Sequence, residues 1–334
     1  MQSLDLRVLS DALQWHRAGH AVTLITVVET WGSAPRTPGA LLALRGDGVV
    51  SGSVSGGCVE DDLIARTRAA HATHTSSSQL PTFITYGVTK DEAARFGLPC
   101  GGTLRLMQEP LTNTGWLEQL LERIAQHELV TRTITLATGR VHLTQAVRGQ
   151  TLVFDDHSLS VPMGPQWRLL LVGAGQLSQA VAQMALMLDF EVLVCDPRDE
   201  YAQTLMAALP DVRLVPGMPD DAVRDMQPDA HTAIVALTHD PKLDDMALLE
   251  ALQSQAFYVG ALGSRRNQAA RKERLATHFD LKTHELDRLH GPVGLNLGAK
   301  TPAEIAVSVV AEIVQAKCQS SYIPPTSGRI FDAL

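Results

Sequence analysis

The feature that most constrains the fold is a pattern of apolar runs and glycines between residues 167 and 196. An apolar run at 169–172 leads into Gly173-Ala174-Gly175, a helical pattern follows at 180–188, and a second apolar run at 191–195 ends at Asp196. Strand, glycine turn, helix, strand and acid in this order are typical of the βαβ unit that opens a doubly wound parallel sheet. Ser178 stands where a third glycine is usual, so the pattern indicates the fold more strongly than the ligand.

The alternation of apolar runs and helical patterns continues beyond this unit. Runs at 212–215, 232–237 and 257–260 predict further strands, and therefore a Rossmann-like doubly wound parallel sheet in the C-terminal half. Ligands of such sheets bind in loops at the carboxyl ends of the strands. The candidates there for holding a phosphate or nucleotide are Gly173, Gly175, Asp196, Arg198, Asp240, Ser264, Arg265 and Arg266.

Two of these candidates, Arg265 and Arg266, fall in the first turn of a predicted helix that begins at Ser264. An arginine in that position does not complement the helix dipole, so anion binding is the better explanation. The alternative is a solvated basic helix face that also includes Arg271, Lys272 and Arg274.

In the N-terminal half, the loop at residues 51–60 is the strongest candidate for chemistry. Ser55, Gly56 and Gly57 precede Cys58, and an acidic run then opens a helical pattern. Paired glycines let the backbone adopt positive φ and approach a ligand closely. A helix start stabilises an anion, which suits a reactive or ligand-holding thiolate. The alternative is a glycine-rich hairpin with a buried, inert cysteine.

A second loop repeats the theme of a cysteine beside paired glycines. Cys100 is followed by Gly101 and Gly102 and then by a β-type run at 104–108. Two such loops in one small region suggest that they meet around a common ligand. The alternative is two unrelated turns.

The length of 334 residues favours two domains over one. Pro162, Gly164 and Pro165 lie in the segment 158–166, which we interpret as the boundary. The expected division is a first domain at 1–160, a Rossmann-like domain at 167–318 and a polar tail at 319–334.

Composition excludes several classes of function. A net charge of −8 argues against a general nucleic-acid or anionic-membrane binder. No signal-peptide pattern and no apolar run of membrane-spanning length is present. The four cysteines form no Cys-x-x-Cys pair, so neither a structural zinc site nor a disulfide scaffold is expected. We therefore expect a cytoplasmic protein with reduced thiols and no metal site of its own.

Taken together, these motifs resemble the XdhC/CoxI family, accessory factors of xanthine dehydrogenase and related molybdenum hydroxylases. The N-terminal matches are residues 32–36, the Ser-Gly-Gly-Cys-Val-Glu core at 55–60, and Cys100-Gly101-Gly102. The C-terminal matches are residues 171–175, 196–198, 238–240, 260–266 and 292–295. They span nearly the whole chain in the order of the family. The expected fold class is therefore an N-terminal α/β module of XdhC type followed by the Rossmann-like sheet.

The resemblance implies a chaperone that binds the molybdenum cofactor and protects it. It also implies that a cysteine desulfurase supplies the terminal sulfido ligand, and that the cofactor is then inserted into an apo-hydroxylase. Cofactor biosynthesis proteins and a second copy in a homodimer are the other implied partners. The cofactor is in either the molybdopterin or the molybdopterin cytosine dinucleotide form. In the first module its implied contacts are Arg36, Ser55, Gly56, Gly57, Cys58, Cys100, Gly101 and Gly102, with Cys58 a possible contact to molybdenum.

Two other classes of function stay open at this point. Gly173, Gly175 and Asp196 also suit an NAD(P)-dependent oxidoreductase, although the sequence offers no convincing acid–base set beyond His239. A redox or persulfide carrier that uses Cys58 and Cys100 is the third possibility.

Overall fold

The computed structural model describes residues 4–31, 36–72, 79–87, 102–147 and 150–321. The chain divides into two compact units, one of residues 2–165 and one of residues 166–334. Each unit has its own hydrophobic clusters.

The N-terminal unit contains two antiparallel sheets. The five-stranded sheet has the order β3-β2-β1-β5-β4, and the four-stranded sheet has the order β7-β6-β9-β8. Its described elements are α1 (Leu4–Arg17), β1 (Val22–Trp31), β2 (Leu41–Arg45), β3 (Val50–Gly52), α2 (Cys58–Ala72), β4 (Thr82–Tyr86), β5 (Thr103–Pro110), α3 (Gly115–Ala125), β6 (Val130–Thr135), β7 (Val141–Gln145), β8 (Val153–Phe154) and β9 (Ser158–Met163).

The central strands β1 and β2 of the five-stranded sheet are buried on both faces, which explains the dense apolar run of β1. Ile25 and Val27 belong to the cluster that includes Val59 and Leu63 of α2. Leu24, on the opposite side of the strand, belongs to the cluster on the other face, which α1 and α3 cover. Successive strand residues point to opposite faces, so a strand buried on both sides has no polar alternation.

A buried ion pair ties the two sheets of this unit together. Arg132 of β6 donates to Glu109 of β5, and Arg132 is fully buried. Its guanidinium also lies 4.3 Å from the ring centroid of Trp116 in α3. This pair fixes the packing of three elements around one charged side chain.

The division between the two units falls after Pro165, inside the segment 158–166, and most of that segment is a strand. Ser158–Met163 is strand β9, which lies between β6 and β8. Pro162 is tolerated because β8 pairs only with Leu159 and Ser160, so Pro162 has a strand neighbour on the β6 side alone.

The C-terminal unit is a six-stranded parallel sheet in the order β12-β11-β10-β13-β14-β15. This order is that of a Rossmann sheet, so the predicted fold class is confirmed. Its elements are β10 (Arg168–Val172), α4 (Gln176–Met187), β11 (Glu191–Cys195), α5 (Asp199–Ala208), β12 (Arg213–Leu214), α6 (Pro219–Met226), β13 (Thr232–Ala236), α7 (Pro241–Gln253), β14 (Tyr258–Ala261), α8 (Arg265–Phe279), α9 (Thr283–Leu286), β15 (Leu289–His290) and α10 (Pro302–Ser321).

Helix α10 differs from its sequence pattern in two ways. It runs to Ser321, so the segment expected as a tail begins inside the helix. Its apolar residues predict a helix buried all round, but only one face is buried, against α4 and the sheet, through Ala306, Val309 and Ile313. Val307 on the other face is 48% exposed.

Candidate functional site

Three connections of the N-terminal unit leave its five-stranded sheet at the same end. Antiparallel pairing places Trp31 opposite Thr103, Leu42 opposite Gly52, and Tyr86 opposite Leu104. The connections that contain Arg36, Cys58 and Gly102 therefore all leave the sheet at this end. Cys100 and Gly101 lie outside the described residues.

Cys58 is the first residue of α2, and its side chain is exposed. Gly56 and Gly57 before it have φ of +94° and +152°, a region that side chains with a Cβ rarely adopt. No atom lies within 4 Å of the position where a Cβ would stand on either glycine. The glycines are thus required by backbone conformation, and the space beside them is open.

The backbone N–H groups of this loop converge on the carboxylate of Glu60, two residues after Cys58. Glu60 Oε1 accepts from the N–H groups of Val54 (2.8 Å), Ser55 (2.8 Å) and Gly56 (3.1 Å) and from Ser53 Oγ (2.7 Å). Glu60 Oε2 accepts from the Gly57 N–H (2.8 Å) and from Ser55 Oγ. The backbone N–H groups of this glycine-containing loop thus bind an acid of the chain itself.

Electrostatics agree with this geometry. Burial would raise the pKa of Glu60, but the hydrogen bonds from Ser55, Ser53 and the loop backbone outweigh it and lower the pKa to about 2. The side chain is charged at neutral pH even though Glu60 is only 8% exposed.

The next turn of α2 joins this loop to the end of β4. Tyr86 donates to Asp62 Oδ2 at 2.8 Å, and Arg66 contacts the same oxygen at 2.6 Å. Gly102 is buried directly before β5, and Thr103 Oγ1 donates to the carbonyl of Gly87 at 3.2 Å. The structure therefore brings Gly102 to the sheet end that carries Cys58.

Arg36 lines a cleft of about 1080 Å³. Asp5 and Leu9 of α1, together with Trp31 and Leu41, are among its other lining residues, whereas Cys58 is not. The cleft lies on the α1 side of the sheet, and Cys58 lies on the α2 side. Arg36 Nε is buried and has no hydrogen-bond partner among the described residues. Arg36 and Cys58 thus share an end of the sheet but open onto different faces.

In the C-terminal unit, the glycine turn has the expected shape. Gly173 has φ of +104°, and a Cβ there would stand 3.1 Å from the backbone of Thr238. Gly175 precedes α4 as its N-cap and offers no side-chain cap, and a Cβ there would meet open space. The first turn of α4 therefore presents uncapped N–H groups to a cleft of about 310 Å³, lined in part by Tyr201 and Thr204.

In the dinucleotide-binding pattern, the acid at the end of the second strand accepts a hydrogen bond from a ribose hydroxyl. Asp196 stands at that position, but its carboxylate already binds groups of the chain itself. It is 4% exposed and accepts from the Ala174 N–H at 2.8 Å. Arg198 donates to it through Nε at 2.8 Å and Nη2 at 2.7 Å. Burial opposes the charge of Asp196, but the hydrogen bonds from Arg198 and Ala174 prevail and lower the pKa of Asp196. Asp196 thus positions Arg198, whose guanidinium lies 4.3 Å from the ring centroid of Tyr201.

Asp240 and Ser264 serve as helix caps. Asp240 Oδ1 accepts from the Lys242 N–H at 2.9 Å at the start of α7, and Ser264 Oγ accepts from the Asn267 N–H at 3.2 Å at the start of α8. Arg265 and Arg266 are exposed.

Sequence reasoning missed a buried ion network behind these loops. Arg271 of α8 donates to Asp244 at 3.0 Å, to Asp245 at 3.2 Å and to the Leu262 carbonyl at 3.1 Å. Thr238 Oγ1 donates to Asp244 Oδ1 at 2.7 Å. The alternative of a solvated basic face is therefore wrong for Arg271. The adjacent acids at 244 and 245 were the signal that could have revealed it.

The other described cysteines have no comparable setting. Cys195 is buried in β11, which raises the pKa of its thiol to about 11, and Cys318 is exposed near the end of α10. In the described ranges, no group of three or more His, Cys, Asp or Glu residues could hold a metal ion. Nor does any helix there combine the length and apolar character needed to cross a membrane.

The fold and these loops define a two-unit α/β protein whose second unit has Rossmann topology. The family model described as the XdhC Rossmann domain matches residues 169–313, and the model of the XdhC and CoxI family matches residues 15–87. The chain belongs to the XdhC/CoxI family.

Two curated relatives match over nearly the whole chain. A Bacillus subtilis protein described as a probable xanthine dehydrogenase component is 29% identical, over 88% of this chain and 92% of the relative. The molybdenum cofactor insertion chaperone PaoD of Escherichia coli is 28% identical, over 96% of this chain and 92% of the relative. A solved structure described as a xanthine dehydrogenase from Bacillus halodurans has a TM-score of 0.73 at 23% identity, with 96% of each chain covered. This last likeness supports the fold.

Proposed function

We propose that this protein is a molybdenum cofactor chaperone that inserts its cargo into a molybdenum hydroxylase of the xanthine dehydrogenase type. The observation that carries the proposal is the exposed thiol of Cys58, held at a helix start beside open space. A thiolate is a soft ligand and suits a molybdenum–sulfur centre. The near full-length similarity to PaoD supports the same assignment.

In this proposal Cys58 contacts the molybdenum of the cargo. Ser55, Gly56 and Gly57 shape the loop, because their N–H groups are taken by Glu60 and are not available to a phosphate. Arg36 leaves the sheet at the same end as Cys58 and is proposed as a cationic contact for the cofactor's anionic end, although it opens onto the other face of the sheet. Cys100, Gly101 and Gly102 complete the site from the third connection, with Cys100 the less important of the two thiols.

The C-terminal unit is proposed to hold the phosphate or nucleotide end of a ligand. The uncapped N–H groups after Gly175 open onto the cleft of about 310 Å³, and Arg198 packs against Tyr201, which lines that cleft. Gly173 permits the close approach of two loops. Asp240 lies at the end of the loop after β13, and Arg265 and Arg266 begin α8 after the neighbouring strand β14. A nucleotide here suits a dinucleotide form of the cofactor. The engagement of Asp196 by Arg198 speaks against ordinary NAD(P) chemistry.

The remaining parts of the proposal concern the cellular setting. Sulfuration of the bound cofactor by a cysteine desulfurase, receipt of the cofactor from its biosynthesis proteins, a homodimeric state and a cytoplasmic location all follow from the family resemblance. They extend the cargo-binding proposal.

Cys58→Ser tests the proposal directly. Parent protein purified from a host that makes molybdopterin should carry pterin, measured by fluorescence after oxidation. The amount of pterin bound per protein should be lower by about tenfold or more in Cys58→Ser. The expected loss corresponds to one metal–ligand contact of about 1.4 kcal/mol or more. Cys318→Ser, which removes another exposed thiol, is the matched control and should retain pterin at the parent level. Equal pterin in parent and Cys58→Ser, or NAD(H) turnover without pterin, would overturn it.

A further inference from the structure

We infer that Glu60 is a positioning residue for Cys58: its carboxylate fills the anion site of the loop and thereby fixes the backbone that presents the thiol. The inference rests on the proposed function only in so far as the thiol binds cargo. The shaping of the loop can be tested without any cargo.

The first step is that Glu60 leaves none of the N–H groups of residues 54–57 for another anion. A carboxylate has about four lone-pair sites, and six donors of residues 53–57 already converge on this one. A phosphate could use these N–H groups only by expelling Glu60, which is 8% exposed. Expulsion would leave a buried charge without its hydrogen bonds, which is strongly unfavourable.

The second step is that the backbone on both sides of Cys58 is held. On one side the Gly57 N–H donates to Glu60 Oε2 at 2.8 Å. On the other side the Val59 N–H donates to Ser55 Oγ at 3.3 Å, and the Val59 side chain is fully buried. Ser55 Oγ itself donates to Glu60, so both restraints depend on the same carboxylate. The thiol is free while the backbone that carries it is fixed.

A neighbouring acid provides the matched control. Asp61 follows Glu60 in the first turn of α2 and carries the same charge, but its side chain is exposed. Asp61→Asn therefore changes the charge near the helix start and leaves the loop untouched. Glu60→Gln makes the same change in charge. It also replaces one acceptor oxygen by an NH2 group, which is a donor and cannot accept hydrogen bonds from the loop N–H groups.

The experiment combines three measurements on the full chain. They are amide hydrogen exchange at residues 54–57, the rate at which iodoacetamide alkylates Cys58 (followed by peptide mass spectrometry), and pterin retained on purification. We expect Glu60→Gln to speed exchange by about tenfold or more and to lower pterin retention by about fivefold or more, with an altered alkylation rate. Asp61→Asn should match the parent in all three.

Chemical rescue separates the carboxylate from general packing. Glu60→Ala leaves room for a small anion, so added formate should restore slow exchange and the parent alkylation rate in this variant alone. In the parent, added inorganic phosphate should change neither quantity.

Faster exchange in Glu60→Gln with parent-level pterin would overturn the positioning role and leave the cargo proposal intact. Slower exchange in the parent on adding phosphate would show that Glu60 is displaceable and would overturn the inference. Absence of pterin from the parent would instead sink the proposed function, while the exchange data would still decide how the loop is shaped.

Discussion

In the described part of the chain, three glycine turns hold a carboxylate of the chain itself against their backbone N–H groups. Glu60 occupies the loop before Cys58. Asp196 accepts from Ala174 at 2.8 Å in the turn between Gly173 and Gly175. Glu312 accepts from the Gly294 N–H at 2.6 Å and also from Tyr258. Because carboxylates satisfy donors that would otherwise be unpaired, these acids stabilise the loops in the absence of any ligand.

We expect Asp196→Asn to destabilise the C-terminal unit at pH 7 by roughly 1–3 kcal/mol, since Arg198 loses its charged partner. The pKa of Asp196 is lowered from its ordinary 3.8. Its contribution is therefore complete above that value and is lost as the pH falls through the folded-state pKa. Chemical denaturation of parent and variant should show a difference at pH 7 that shrinks below about pH 4. Asp199→Asn, an exposed neighbour, should change little, and a difference independent of pH would contradict the argument.

At the scale of elements, the sequence was most informative where apolar runs were uninterrupted. Strand β10, helix α4 and strand β11 were predicted because both faces of the sheet are buried, so each strand is a short uninterrupted apolar run next to a glycine turn or a helical pattern. Strand β9 was missed because Pro162 normally ends a strand, and only the short β8 beside it makes the proline acceptable. The acids that occupy two of the glycine turns were missed for a different reason. Asp196 lies 22 residues and Glu312 18 residues from the N–H groups that they accept, which is a tertiary relation.

The loops around the Rossmann crevice depend on one buried arginine of α8. Arg271→Ala should lower the free energy of unfolding by roughly 3–5 kcal/mol, because Asp244 and Asp245 are left buried without their partner. Urea denaturation measures this change. Arg266→Ala on the same helix, where the side chain is exposed, should stay within roughly 0.5 kcal/mol of the parent. Equal effects of the two substitutions would show that the network contributes nothing.

At the scale of the whole molecule, two units with separate cores share one chain. The first carries the loop with Cys58, and the second carries the Rossmann sheet. The proposed contacts to cargo come from loops rather than from a closed cage of cysteines. A carrier has to release what it binds, and loops at a sheet end suit that requirement better than a closed metal site.

The proposed role predicts a specific defect in a strain that lacks this protein. The target hydroxylase should be made and assembled but inactive, because it lacks sulfurated cofactor. Purified protein loaded with sulfurated cofactor should restore activity to the apo-enzyme, whereas Cys58→Ala protein put through the same loading procedure should restore little. Asp61→Asn protein should restore activity like the parent. A strain with fully active hydroxylases that loses an NAD(P)-linked activity would favour the oxidoreductase alternative.

The hydrogen bonds of Glu60 also have a genetic consequence. Every single-base change of a glutamate codon that alters the amino acid removes the full-length carboxylate, so no such allele preserves the contacts with residues 53–57. A random-mutagenesis screen for loss of hydroxylase activity should therefore recover alleles at codon 60 as readily as at codon 58. Asp61 is acidic like Glu60, but its side chain is exposed. Substitutions at codon 61 should therefore be nearly absent from the alleles recovered in the same screen.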